Sequence, residues 1–288
     1  MNSTQSKNRN MLIASMCIFG TIGILRRYIP LSSSLVALVR GVIGSLFLLL
    51  VCLLTNRTLD KKAMKQNLLL LALSGAGIGF NWILLFEAYN YTSVATATLC
   101  YYLAPILVIL ASPVVLKEKL TLKKVLCTLV ALIGMVLVSG VIEAGFAGIT
   151  ELKGILFGLA AAVLYASVIL MNKKMPGVPS YDKTIFQLGL ASIALFPYVL
   201  LTENWSAVSL TPTALILLLV AGIIHTGIAY WLYFGSMDHL PSHTVALLSY
   251  IDPILAIFLS VILLREPMTL FSGIGAVMIL GAAYISEK

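Results

Sequence analysis

Charged side chains are scarce in this chain of 288 residues: Asp, Glu, Lys and Arg make up 10% of it, against about 25% in soluble domains. Hydrophobic residues make up 60%, and the mean hydropathy is +1.03. A soluble protein of this size cannot hide so much apolar side chain, because its surface needs polar cover. A lipid bilayer removes that need, so the composition indicates an integral membrane protein.

Cysteine and histidine are also rare, with four and three residues. The cysteines lie inside apolar runs, form no CxxC pair and have no histidine cluster beside them; they are Cys17, Cys52, Cys100 and Cys127. This pattern argues against a disulfide framework and a metal site, and we expect no cofactor. Gly75-x-Gly77-x-Gly79 lies inside an apolar run without a phosphate-binding lysine. We interpret it as a site of close helix packing rather than a nucleotide loop.

The apolar runs are continuous rather than alternating, so membrane-spanning helices are favoured over barrel strands. Windows of about 20 residues predict ten helices, at 10–29, 32–54, 66–86, 93–115, 122–142, 153–172, 184–202, 213–235, 242–264 and 269–286. The short loops leave no room for a soluble domain. The first run follows Lys7 and Arg9 as in a signal peptide, but no cleavage-site pattern follows, so we predict a retained helix.

Lys and Arg are distributed unequally between the two sides. Ten spans put both termini on one side, which carries 14 of the 19 Lys and Arg residues. The other side carries Arg26, Arg27, Lys153 and Arg265, while Arg40 falls within a span. The positive-inside rule therefore predicts cytoplasmic termini and a multi-pass protein of the cytoplasmic (plasma) membrane. The net charge of +8 is explained by topology, so no nucleic-acid partner is expected.

The chain repeats itself at an offset of 148 residues. The identities are Phe86/Phe234, Leu99/Leu247, Tyr102/Tyr250, Pro105/Pro253, Glu118/Glu266 and Thr121/Thr269. Each half would hold five helices, an odd number, so the second half must enter the membrane from the opposite side. The predicted fold is all-α, with ten transmembrane helices in two inverted-topology five-helix repeats, 1–142 and 153–288. Such folds bind their substrate near the midplane, between the repeats, which indicates a transporter.

Several motifs carry a family resemblance. They are HTGIAYWLYF at 225–234, LLSYIDPI at 247–254, LLREPMT at 263–269, FEA at 86–88, LAPI at 103–106 and KEKLT at 117–121. Through them the sequence resembles the EamA family of the drug/metabolite transporter superfamily. The resemblance implies ten helices, a central cavity between the halves and a place among exporters of metabolites and amino acids. Many members carry Glu before the second proline, where this chain has Asp252, an acid of shorter reach.

Three ionisable residues inside predicted spans are candidates for substrate binding. Arg40 would hold a substrate carboxylate or pair with an acid, unless it snorkels or joins a structural hydrogen-bond network. Asp252, beside Pro253, would bind an ammonium group, carry a coupling proton or pair with Arg40; the alternative is a structural cap on a kinked helix. His225 suits proton transfer, although a lone histidine also serves as a structural hydrogen-bond donor.

Aromatic and amide side chains complete the candidate site. The aromatic candidates are Trp82, Tyr101, Tyr102, Tyr230, Trp231 and Tyr250. On the helices that line the cavity in the resembled family, they would suit apolar, aromatic or cationic groups, whereas at the membrane interface they would be anchors. Asn81 and Gln187 would form hydrogen bonds between helices or contact the substrate.

The repeated prolines and loop glutamates receive structural interpretations. Pro105 and Pro253 are predicted to bend helices that line the transport path and to act as hinges. Glu118 and Glu266 lie in short loops, where we expect each to cap the following helix.

These features predict a secondary transporter, without an enzyme activity, that moves small organic metabolites such as amino acids outward. No ATP-binding loop is found, so an ion or substrate gradient would supply the energy. A passive facilitator or channel is an alternative. An enzyme acting on a lipid or polyprenyl substrate is disfavoured, because Arg40, His225, His243 and Asp252 are few and scattered. The expected partners are a small molecule and the bilayer. The sequence leaves the oligomeric state open, and a monomer is compatible with it.

Overall fold

The computed structural model describes residues 3–117, 121–138, 149–175, 177–206, 208–237, 239–240 and 248–287. Every regular element in these ranges is helical. Among the described residues, seven helical stretches are long and apolar enough to cross a membrane: Ser6–Arg27, Ser33–Leu54, Leu68–Tyr91, Val94–Val115, Glu151–Lys173, Ser180–Thr202 and Pro212–Ser236. Three shorter apolar helices are Val125–Val138, Ile251–Leu263 and Leu270–Ala282. The protein is therefore an all-helical, multi-pass membrane protein.

In the described residues, the first part of the chain contains the helices α1 Ser3–Gly20, α2 Ile22–Arg27, α3 Ser33–Leu54, α4 Lys61–Gln66, α5 Leu68–Tyr91, α6 Val94–Tyr101, α7 Ala104–Val115 and α8 Leu122–Val138. The second part forms α9 Ile149–Lys173, α10 Ser180–Thr202, α11 Pro212–Leu219, a π-helical segment Val220–Ile228, α12 Ala229–Met237, α13 Ile251–Leu263 and α14 Leu270–Glu287. All ten predicted apolar windows thus contain helix.

Side-chain caps define several helix starts. The Ser32 hydroxyl accepts the Leu35 N–H at 3.2 Å, and the Thr211 hydroxyl accepts the Ala214 N–H at 3.2 Å. Such caps satisfy backbone donors that have no partner within the helix. On the outside, large apolar side chains are exposed, as Leu201 is at 84%. This is the surface that lipid tails would cover.

Close helix contacts depend on small residues. The helix α5 packs against α9 and α10, α3 against α10 and the π-helical segment, and α1 against α12 and α13; α8 packs against α14, and α6 against α13. A Cβ added at Gly75 would lie 2.9 Å from the Gln187 carbonyl oxygen, and one at Gly79 would lie 2.9 Å from Leu195. The predicted close-packing role of this glycine motif is confirmed at the contact between α5 and α10.

The repeated prolines stand at helix starts. The fourth predicted span is interrupted at Tyr102 and Leu103, and Pro105 lies in the first turn of α7. Likewise, Tyr250 precedes α13, whose first turn contains Pro253. In the first turn proline removes no helical hydrogen bond. Both prolines therefore begin a helix after an interruption and do not bend a continuous one; their action as hinges stays a prediction.

Glu266 has a structural role, but the helix it caps differs from the predicted one. Its carboxylate accepts the Val94 N–H at 2.9 and 3.0 Å and pairs with Arg27 Nη2 at 3.0 Å. The following helix is capped instead by Thr269, whose hydroxyl accepts the Ser272 N–H at 3.1 Å. The prediction was wrong because it considered neighbours in sequence only, whereas a carboxylate is stabilised at any helix N-terminus it can reach. Glu118 lies outside the described residues.

Candidate functional site

A cavity of about 590 Å³ lies between the helices, a volume typical of small-molecule sites. Near one end its lining includes Lys173, which is exposed, and Lys183; we call this the lysine end. Toward the other end, which we call the far end, the lining residues are Gly23, Tyr89 and Thr98, all buried.

Most of the predicted site residues line this cavity. They are Arg40, Asn81, Trp82, Tyr101, Tyr102, Gln187, Tyr230, Tyr250 and Asp252. They come from parts of the chain more than 200 residues apart, so the tertiary structure brings them together. Their contact with a substrate stays a prediction.

Arg40 is a buried cation that lines the cavity, with 5% of its surface exposed. Its Nε donates to the Thr226 hydroxyl at 2.7 Å, and its guanidinium carbon lies 4.2 Å from the centre of the Trp82 ring. Within the described ranges, Arg40 has no carboxylate within 4.0 Å, and its Nη atoms donate no hydrogen bond. Because a buried cation is costly without a partner, Arg40 is suited to receive an anion. Snorkelling does not describe this position.

Asp252 lies in the first turn of α13 and lines the same cavity. The Tyr102 hydroxyl donates to its Oδ2 at 2.6 Å. A Cβ added at Gly20 would lie 2.7 Å from the Asp252 carbonyl oxygen, so α1 is packed against this turn. No ion pair joins Asp252 to Arg40 in the described structure, and the predicted alternative of direct pairing is not realised. The cavity therefore presents a cation and an acid as separate groups.

Aromatic rings form much of the cavity wall. Tyr101 stacks on Tyr165 with centroids 5.1 Å apart, and Tyr230 stacks on Phe234 at 5.9 Å. Five rings that were not among the predicted site residues also line the cavity: Phe19, Tyr89, Tyr165, Tyr233 and Phe234. Helical spacing could have found three of them, since Tyr233 and Phe234 follow Tyr230 by three and four residues, and Tyr89 follows Trp82 by seven.

Two predicted residues do not line the cavity. Trp231 is 40% exposed on the outside of α12, because the next residue along a helix points about 100° away from the cavity-lining Tyr230. His225 is buried, with Nε2 2.9 Å from the Thr21 hydroxyl and Nδ1 3.3 Å from the Val220 carbonyl oxygen. The hydrogen-bonding alternative stated for His225 describes its position, whereas the interface anchor stated for Trp231 stays a prediction.

The amide side chains form the predicted hydrogen bonds between helices, and their contact with the substrate stays a prediction. Asn81 Nδ2 donates to the Ala161 carbonyl at 2.5 Å, which joins α5 to α9. Gln187 Nε2 donates to the Ser74 hydroxyl at 2.6 Å and to Asn172 Oδ1 at 2.7 Å. Both amides hold helices together and also face the cavity.

The lysine end was not found by sequence reasoning, which treated its lysines as topological charges only. Lys183 Nζ donates to the Asn172 carbonyl at 3.2 Å. Lys183 precedes the predicted Gln187 by four residues on α10, so the same helical face carries both. In the described part of the chain, no group of three His, Cys, Asp or Glu residues could hold a metal ion.

Comparison with known proteins adds the family. A model of the EamA-like transporter family matches residues 10–140 and again 152–287. The chain is 32% identical to an uncharacterized transporter, YxxF, of Bacillus subtilis over 93% of this chain and 85% of the relative. It is 28% identical to an uncharacterized transporter of Archaeoglobus fulgidus over 96% of this chain and 95% of the relative.

Other comparisons agree. An uncharacterized inner membrane transporter, YhbE, of Escherichia coli is 27% identical over 75% of this chain and 70% of the relative. A protein of known crystal structure, 20% identical, superposes with a TM-score of 0.68 over 97% of this chain and 96% of its own; it supports the fold alone. With the two family matches together covering nearly the whole chain, the protein belongs to the EamA-like transporter family of the drug/metabolite transporter superfamily and is a membrane transporter.

Proposed function

We propose that the protein is a secondary transporter that exports small organic metabolites, such as amino acids or related carboxylates, across the cytoplasmic membrane. One observation carries this proposal: the buried Arg40 guanidinium lines a cavity of metabolite size, and its Nη atoms have no partner among the described residues. A substrate carboxylate would supply the missing charge and hydrogen bonds.

The polar groups of the cavity suit a zwitterion. A carboxylate would bind Arg40, and an ammonium group would bind Asp252, which already accepts one hydrogen bond from Tyr102. The ring pairs formed by Tyr101 and Tyr230 would pack against an apolar or aromatic side chain.

The transport path would follow from two inverted five-helix repeats, with all ten apolar helices crossing the bilayer. The helix contacts support this arrangement. If the two halves are exchanged, α3 corresponds to α10 and the π-helical segment corresponds to α5. Both pairs are in contact: α3 with the π-helical segment, and α10 with α5. The backbone supports it as well. Lys117 and Arg265, 148 residues apart, both have positive φ angles, of 58° and 54°.

Alternating access between the repeats would move the substrate. With both termini in the cytoplasm, the lysine end faces the cytoplasm and would load the substrate. Beyond the far end lie Arg27, Val94 and Glu266, which we call the Glu266 cluster. Arg27 lies one helical turn from Gly23, and Val94 lies one helical turn from Thr98; Gly23 and Thr98 are far-end residues. Opening of this cluster would release the substrate outside.

Flux in proteoliposomes tests the proposal with three probes: phenylalanine, phenylalaninamide, which lacks the carboxylate, and hydrocinnamate, which lacks the ammonium group. We expect saturable flux that is fastest for phenylalanine. In Arg40→Ala, phenylalanine flux should fall about 100-fold, as expected for removing one partner of a buried charge pair, while phenylalaninamide flux changes little.

The controls separate this proposal from its alternatives. Absence of flux for all three probes above empty liposomes, from protein with an intact melting transition, would contradict it. An equal loss of all three in Arg40→Ala would assign Arg40 a structural role. If the substrate never moves against its own concentration gradient, with or without an imposed pH gradient, the result would favour the facilitator.

A further inference from the structure

The π-helical segment Val220–Ile228 is a local departure from α-helix in the wall behind Arg40. Two consecutive side chains in it bond to carbonyls five residues earlier: His225 to Val220 at 3.3 Å and Thr226 to Ala221 at 3.0 Å. Such π segments are often found at functional sites. The register change here turns Thr226 toward α3, where its hydroxyl meets Arg40.

The Thr226 hydroxyl has one proton, and it donates that proton to the Ala221 carbonyl. Its remaining capacity is that of an acceptor, which Arg40 Nε uses at 2.7 Å. The direction of the hydrogen bond is therefore fixed. Thr226 is fully buried, so water does not compete for this position.

The guanidinium group is held in two ways. The Nε bond fixes one edge of the planar fork, and the Trp82 ring, 4.2 Å from the guanidinium carbon, lies against its face. With Nε occupied, the edge that carries both Nη atoms remains for a ligand. Two parallel N–H groups on one edge match the two oxygens of a carboxylate.

The backbone around Thr226 leaves little freedom. A Cβ at Gly44 would collide with the Thr226 side chain, and a Cβ at Gly227 would lie 2.5 Å from the Phe47 ring. Helix α3 and the π-helical segment are therefore in direct contact, and this packing holds the Thr226 backbone and its Cβ beside α3.

We propose that Thr226 is a positioning residue that directs the two-Nη edge of Arg40 into the cavity and thereby sets the preference for carboxylates. The inference rests on the proposed function, because it assumes that Arg40 binds the substrate. It adds a residue on the opposite half of the chain that acts on the substrate only through Arg40.

Affinities of the purified protein for phenylalanine, hydrocinnamate and phenylalaninamide test this role. Thr226→Val keeps the branched shape and removes the hydroxyl, and we expect about tenfold weaker binding of both carboxylates, in line with loss of a hydrogen bond to a charged group. Phenylalaninamide should change by less than about twofold, since it lacks the group that Arg40 receives. Thr226→Ser keeps the hydroxyl and should bind all three within about threefold of the wild type.

Each outcome separates the two proposals. If Arg40→Ala loses carboxylate binding but Thr226→Val does not, the positioning role is overturned and the proposed function stands. If Thr226→Val weakens all three probes equally, or lowers only the melting temperature, Thr226 is merely structural. If the wild type binds neither carboxylate more tightly than the amide, the role of Arg40 fails and the inference fails with it.

Discussion

The two ends of the cavity are held by different kinds of contact. At the lysine end, Gln187 and Lys183 bond to Asn172, only 15 and 11 residues away in sequence. At the far end, Glu266 bonds to Val94 and Arg27, across 172 and 239 residues. The bonds to Asn172 therefore join neighbouring helices of the second half, although Gln187 also reaches Ser74 of the first half. The bonds of Glu266 to Arg27 and Val94 both join the second half to the first.

This difference has a mechanical consequence. Opening the far end must break an ion pair in which the carboxylate side chain is only 12% exposed, together with the cap of α6. At the lysine end, Lys173 is already exposed. The described conformation is thus one in which Glu266 ties the two halves together at the far end, while Gln187 with Ser74 and Asp182 with Arg57 also join them on the side of the lysine end.

The largest effect should come from Glu266→Ala, which removes the cap and the ion pair together. We expect a loss of about 2 kcal/mol in the free energy of unfolding. Labelling of Thr98→Cys in whole cells by an impermeant maleimide should rise about tenfold, because the far end then opens more often. Glu203→Ala is the matched control, since Glu203 bonds Ser32 and Ser34 instead. Unchanged labelling, or an equal rise in the control, would contradict the assigned role of the cluster.

A smaller effect is expected from Arg27→Ala, because Glu266 still caps α6 through the Val94 N–H. The free energy of unfolding should fall by about 1 kcal/mol, and labelling of Thr98→Cys should rise about threefold. A double-mutant cycle with Glu266→Ala measures the coupling between the two residues. Coupling indistinguishable from zero would show that the cap alone holds the far end.

The smallest effect should come from Lys183→Met at the lysine end. It removes a charge but keeps the apolar stem, so we expect about a threefold rise in KM for phenylalanine with little change in maximal rate. The difference in KM between the variant and the wild type should shrink as salt is added, because screening weakens the attraction of the substrate to the lysine end. Lys174→Met serves as the control, since Lys174 is exposed and does not line the cavity. Equal effects of both variants would mean that Lys183 acts only as part of the surface charge.

Sequence patterns located much of the candidate site but not its geometry. Arg40 and Asp252 stood out because a charge within an apolar run is costly, and both line the cavity. The sequence did not decide whether they pair with each other or bind the substrate separately, since both arrangements require the same residue types. The aromatic candidates Tyr230 and Trp231 are neighbours in sequence, and only one of them lines the cavity, because no hydropathy pattern marked the inward face of α12.

The contacts made by single polar residues were beyond sequence reasoning for a different reason. His225 and Thr226 are neighbours in one sequence motif. Thr226 contacts Arg40 and His225 contacts Thr21. These contacts depend on a π-helical register that hydrophobic periodicity does not reveal. Glu266 was assigned to its neighbouring helix because proximity along the chain was the available guide.

Hydropathy and charge were sufficient to specify a multi-pass helical protein. In lipid, each segment must satisfy its own backbone hydrogen bonds, so a helix follows from local composition alone. The cavity, the edge of Arg40 that has no partner among the described residues, and the Glu266 cluster depend on how those helices pack. Packing joins side chains as far apart as Arg27 and Glu266, separated by 239 residues, through shape and charge that local composition does not encode.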